Sequence, residues 1–281
     1  VPAGALWGGV VGGEVLGGGG AGAGLYAPIW GLLPATVLAY LSFTVMHEAG
    51  HGNIHGKQSA YKGLNEVSGW ISGIFLAAPF PAFKTLHNLH HAHANNPESD
   101  PDHWVAGQGA LSIAARCLTI FPHYYWDFLA GPSSARPSVK SQRSKVIATM
   151  ALFIALALGG VALGFAQFVF FLWVIPAILA CGVLAFVFDW LPHHPHQVQK
   201  RLHDTRVLLG PGLEVLTCGQ SYHLVHHMWP RIPFYRYSAA FREMRPWLES
   251  QGAAIEEVGG SKKGGAVKGG FGASPSMWLA E

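Results

Sequence analysis

Between Lys145 and Asp189 the chain carries no charged residue. A bilayer crossing needs about 20 apolar residues, so this run has room for two. Gly159, Gly160, Gly164 or Pro176 offer places to turn or kink. In hydrocarbon every backbone N–H and C=O must be satisfied within the protein, so a helical hairpin is the expectation. Arg136, Lys140, Arg143 and Lys145 mark the face on which it starts and ends. By the positive-inside rule that face is cytoplasmic or stromal. The same cations also suit the anchoring of lipid headgroups.

Composition agrees. Of the 281 residues, 50% are hydrophobic and 12% charged, where a soluble domain carries roughly 25% charged residues. The net charge of +3 is too small to argue for nucleic acid, and no basic run is interleaved with aromatics. Cys117, Cys181 and Cys218 form no CxxC pair, which disfavours zinc fingers and a disulfide framework.

A second apolar stretch, residues 25–46, leads directly into His47. Residues 1–24 are glycine-rich and read as a lead-in or a degenerate first span. Residues 25–250 form one membrane domain, and 251–281, rich in Gly, Ser and Lys, read as a flexible tail. Residues 104–130 mix aromatics with polar groups, as in a headgroup zone.

Histidine is the outlier. Most of the 16 fall in short clusters. The first box is His47/His51, the second His87/His90/His91 and the third His223/His226/His227. Spacings of three and four residues place imidazoles along one helix face. These eight are too many for one ion, because a catalytic zinc keeps three protein ligands and an open position. They suit two ions. Imidazole alone does not choose among Zn, Cu, Fe and Ni. A fourth cluster supplies His193 as a ninth ligand, with His194, His196, His55 and His93 as weaker candidates. Pro192 is expected to end the helix just before His193.

The boxes constrain topology. If residues 64–83 crossed the membrane, His47 and His87 would lie on opposite faces. That segment is therefore expected to be interfacial or re-entrant. Asp100, Asp102 and Asp189 are expected to accept the second N–H of metal-bound imidazoles. Trp229 and Pro230 are expected to begin the lining of a substrate cavity. The fold class expected is all-α integral membrane. It should have about three to four transmembrane helices, further interfacial helices, and a histidine-rich di-metal site on the cytoplasmic or stromal face.

Boxes HxxxH, HxxHH and HxxHH in this order, around an uncharged hairpin, resemble the membrane fatty acid desaturase superfamily. The resemblance spans roughly residues 25–245. Two segments, HNLHHAHANNPESDPDHW (87–104) and YHLVHHMWPRIPFYRY (222–237), are similar to the cyanobacterial and algal type of β-carotene hydroxylase. Carotenoid ketolases share much of that pattern. The resemblance implies two iron ions on the box histidines, dioxygen as co-substrate, and an external electron donor. It implies hydroxylation of the β-ionone ring of β-carotene towards zeaxanthin, in a plastid (thylakoid or envelope) or cyanobacterial membrane. Ketolase or fatty acyl desaturase activity is the alternative. A structural pigment-binding membrane subunit, with pigments or a photosynthetic complex as its partner, is the alternative of another class. Lys140, Arg143, Lys145, Lys200 and Arg201 are expected to dock an acidic carrier such as ferredoxin.

Overall fold

The computed structural model describes residues 27–258. The glycine-rich segment 1–24 lies outside them. A single turn, Ala27–Trp30, precedes helix α1, Leu32–His51. Its outer face shows Leu33, Val37, Leu41 and Val45 at four-residue spacing, whereas Ala39, Met46 and Ala49 are buried. One face therefore meets lipid and the other packs against the chain. Gly52 ends α1 in the left-handed region, its N–H closing on the carbonyls of Glu48 and Ala49.

Helices α2 (Lys62–Phe75) and α3 (Phe80–His93) follow. Neither is long and apolar enough to be a candidate span, and the ends of the segment meet, with His51 Nε2 2.9 Å from His87 Nε2. Glycine makes the close return possible. A Cβ at Gly69 would lie 2.4 Å from the Phe80 ring, and one at Gly73 2.5 Å from the Ala78 carbonyl oxygen. Asn65 Nδ2 donates to the Ala49 carbonyl and ties α2 to the end of α1.

Helix α4 (Ala110–Leu129) buries Cys117, Ile120, Asp127 and Phe128. The hairpin is α5 (Pro137–Ala162) and α6 (Ala166–His193), reversing at Gly164, whose φ is +88°. With α1 these make three helices suited to crossing a membrane among the described residues. Pro192 does not end α6 before His193, contrary to the sequence expectation. The helix widens to i→i+5 turns over Ala185–Trp190 and continues through Leu191–His193. A wide turn moves aside the carbonyl that the proline ring would otherwise strike. A second wide turn, Phe170–Val174, precedes Pro176 in the same way.

Beyond α6 the chain forms helices α7 (His223–Met228) and α8 (Tyr237–Ser250) around Leu224, Val225, Tyr237, Phe241 and Leu248. Strand β1 (Val207–Leu209) pairs in parallel with β2 (Ile255–Glu257). The tail drawn from residue 251 on composition therefore starts too early, since residues 251–258 complete this small sheet. Three residues are too few to leave a periodic signal.

Candidate metal centre

The C-terminal ends of α1, α3 and α6 converge with α7, and nine histidines meet there. They divide into two groups. His47, His51, His87, His91 and His226 form one, and His90, His193, His223 and His227 the other. Within each group the ligand atoms all lie within 4.8 Å of one another. The division cuts across the boxes. His87 and His91 stay together, as do His223 and His227, while His90 and His226 each join the other group. Positions four apart on a helix point the same way, but neighbours differ by about 100°. The sequence expectation of one shared face per box is corrected to two directions per HxxHH box.

In the first group Nε2 atoms face one another: His47–His226 at 3.1 Å, His226–His91 at 2.9 Å, His91–His87 at 3.1 Å and His87–His51 at 2.9 Å. In the second, His227 Nε2 lies 3.1 Å from His223 Nε2 and 3.2 Å from His90 Nε2.

The outward nitrogens fix the rings. His193 Nδ1–H donates to the Asp204 carbonyl at 3.0 Å. A carbonyl can only accept, so the His193 Nε2 of the neutral ring carries a lone pair. That atom is buried and has no hydrogen-bond partner. His90 Nδ1 lies 2.9 Å from Asp100 Oδ1 and 3.3 Å from Asp102 Oδ2. His226 Nδ1 meets the Tyr237 hydroxyl at 2.8 Å, and His223 Nδ1 meets Gln220 Oε1 at 3.2 Å. His47 Nδ1 lies 3.5 Å from Glu48 Oε1 without hydrogen-bond alignment.

This arrangement fits bound cations. Imidazoles whose outer N–H is already donated turn lone pairs inward, and lone pairs about 3 Å apart repel unless a positive charge lies among them. Burial first, and crowding by other imidazoles second, hold His87, His91, His223, His226 and His227 well below the ordinary histidine range. They are neutral at neutral pH, the form that binds metal. His90 differs. Burial lowers it, but Asp100 and Asp102 more than offset that and push it up to about 10. The carboxylates thus favour positive charge at the four-histidine group.

Asp100 also accepts from the backbone N–H groups of Asn95 and Asp102, so its position is set by three donors. Asp189 touches no box histidine through a hydrogen bond. It accepts a long one, 3.5 Å, from the Tyr124 hydroxyl, which donates to Asp102 at 2.7 Å. Tyr124, read from composition as a headgroup aromatic, is instead part of this buried network. Asn95 ties the end of α3 to the loop that holds His193, donating to the carbonyls of Val198 and Asp204. Gln220, Tyr124 and Asp204 carry no local motif, Asn95 and Tyr237 stand inside the segments 87–104 and 222–237, and only the fold brings all five to the histidines.

An apolar cavity, part of it open to the exterior, reaches the centre. Phe43, Phe83, Leu86, Ala185 and Phe188 line it, and His47, His87, His90 and His223 face it. Trp229 and Pro230 are not among its walls, which corrects the sequence expectation. Trp229 packs on Trp247 in the C-terminal core, and the Pro230 carbonyl accepts from Asn53. The chain turns away from the centre directly after α7. Of the docking cations, Lys140, Lys145, Lys200 and Arg201 are exposed. Arg143 is held by the carbonyls of Leu129 and Ser134, and Arg201 by that of Met228. His93 meets Arg136 instead of either histidine group.

The model of the fatty acid desaturase family matches residues 25–259. The chain belongs to the fatty acid desaturase family. It is 27% identical to a β-carotene ketolase of Paracoccus sp. (strain PC1), covering 74% of this chain and 78% of that protein. It is 26% identical to a dihydrorhizobitoxine desaturase of Bradyrhizobium elkanii, over 73% and 66% of the two chains. A chloroplastic omega-3 fatty acid desaturase of Glycine max is 24% identical over 73% of this chain, which spans 51% of that longer protein. As a member of this family, the chain pairs a histidine-rich candidate metal centre with three membrane-suited helices among the described residues.

Proposed function

We propose that this chain is a di-iron oxygenase that uses dioxygen to hydroxylate the β-ionone ring of a carotene, taking β-carotene towards zeaxanthin. The observation that carries the reading is the convergence of nine imidazoles, five and four, at one end of an apolar cavity. His47, His51, His87, His91 and His226 would hold one ion, and His90, His193, His223 and His227 the other. Two iron ions there would supply dioxygen activation strong enough to break an unactivated C–H bond. The balance is one C–H, one O2, two electrons and two protons giving one C–OH and one water.

The chain's own residues do the rest. Asp100, Asp102, Gln220, Tyr237 and the Asp204 carbonyl orient the imidazoles through their outer nitrogens. Phe43, Phe83 and Phe188 exclude water and offer flat apolar walls to a hydrocarbon ring. Electrons would come from an acidic carrier such as ferredoxin, drawn to exposed Lys140, Lys145, Lys200 and Arg201. Steering of this kind weakens as salt rises. A plastid or cyanobacterial membrane suits such a substrate and donor.

Incubation with β-carotene, iron and a reductant tests the reading. Zeaxanthin or its monohydroxy precursor is expected. Ring ketones alone would assign the chain to ketolation, the second reading, which the Paracoccus relative favours. A new acyl-chain double bond would assign it to desaturation. Absence of iron in a carefully prepared sample would favour a pigment-binding role.

A further inference from the structure

The segment joining β1 to the third box carries an exposed apolar pair that neither the metal centre nor the cavity uses. Val215 is 80% exposed and Leu216 70% exposed, at the end of a short helical turn, Leu213–Leu216. Next to this turn, the Leu216 carbonyl accepts a 2.7 Å hydrogen bond from the Tyr40 hydroxyl. Tyr40 lies within the apolar helix Pro28–His51.

That bond fixes a depth. Helix side chains lean towards the helix N-terminus, which for α1 is the end away from the histidines. The Tyr40 hydroxyl, and Leu216 with it, therefore lies on the membrane side of the Tyr40 backbone. Nearer the histidines than Tyr40, α1 still turns Leu41 (48% exposed) and Val45 (43% exposed) outward. Leu216 thus sits at a level where the neighbouring helix presents only apolar side chains outward. An unpaired carbonyl at that level would be costly, and the tyrosine satisfies it. The segment is bounded by Gly212 (φ +76°) and Gly219 (φ +82°), where the backbone reverses. Just beyond Gly219, Gln220 and His223 face the cavity.

We propose that residues 212–219 form a membrane-dipping loop whose Val215–Leu216 tip is inserted among the acyl chains of the bilayer. The loop seats the third histidine box against the membrane surface independently of what the cavity binds. Its occupant is lipid: the level is set by the Tyr40 contact with an apolar helix long enough to cross a membrane, and the exposed pair is itself apolar.

The test uses the unaltered chain in phosphatidylcholine vesicles containing a phospholipid with a photoactivated diazirine on its acyl chain. Residue-level mass spectrometry locates the label. Adducts on Val215 or Leu216, together with adducts on Leu41 or Val45, are expected. Labelling of Leu41 and Val45 with none on residues 213–217 would overturn the proposal, and would be the result if a second copy of the chain covered the loop. As a second readout, a cysteine-reactive nitroxide at V215C, with Cys117, Cys181 and Cys218 replaced by alanine, should collide with oxygen more than with an aqueous nickel chelate. The ratio seen at an exposed K200C control would overturn the proposal. Both readouts are independent of catalysis, so an inactive protein would leave this result standing.

Discussion

His90 and His91 are adjacent in sequence and belong to different groups of converging nitrogens. His91 Nε2 lies 2.9 Å from His226 Nε2, and His90 Nε2 lies 3.2 Å from His227 Nε2. One turn of helix therefore serves both halves of the centre, and so does His226-His227 across from it.

The division predicts selective metal loss. His193 belongs to the four-histidine group, and its inward nitrogen has no other partner. H193A should lose one of two metal equivalents while the five-histidine group keeps its own, because metal binding depends on each group's own ligand count. Metal analysis of the purified variant checks this. Loss of both equivalents with an unchanged far-ultraviolet spectrum would contradict the independence of the groups.

Asp100 acts on His90 through charge and on the backbone through its lone pairs. D100N keeps one acceptor oxygen, turns the other into an amide donor and removes the charge. It should weaken metal retention on the order of 10–100-fold, the usual cost of losing an outer partner, with a smaller loss of thermal stability than D100A. D100A should add the loss of a cap, about 1 kcal/mol, because the Asn95 and Asp102 N–H groups lose their acceptor. Competition with a chelator, run beside thermal denaturation, separates the two effects.

The cavity wall gives a prediction that leaves the metals untouched. Ala185 is buried and lines the cavity without contacting a histidine through a hydrogen bond. A185F should fill the space next to Phe188 and lower turnover on the order of 10²-fold, as misplacement of a substrate does. Metal content should match that of the unaltered protein. Equal turnover in the two proteins would show that the substrate enters elsewhere.

The return of α3 along α2 rests on Gly73, whose nearest obstacle is rigid backbone. G73A should cost about 1–3 kcal/mol, as overpacking does. Gly63 on the same helix has open space around its Cβ position, so G63A should be neutral or stabilise by up to about 1 kcal/mol. Thermal unfolding in detergent compares them, and equal midpoints would refute the close approach.

Much of this architecture was legible in the chain. The uncharged run from Lys145 to Asp189 specified a hairpin because hydrocarbon forbids unpaired backbone, and the boxes specified a metal chemistry because imidazoles repeat at helical spacing. The demand that His47 and His87 share a face made residues 64–83 return, and Gly69 and Gly73 are how they do so. Less was legible where signals depend on distant partners. Pro192 reads as a helix end, yet the wide turn before it carries α6 on to His193. Trp229 follows a box and reads as cavity wall, yet it packs on Trp247. Residues 251–258 read as tail, yet they pair with β1.

Sequence by itself determined which histidines recur at helical spacing and which segments must be helical, since both follow from local composition and spacing. Only the tertiary structure decided how the nine histidines divide, which carboxylate reaches which ring, and where the cavity runs. Those relationships join residues up to 179 positions apart, as between His47 and His226. They depend on the angles at which helices cross, and no periodicity along the chain encodes those angles.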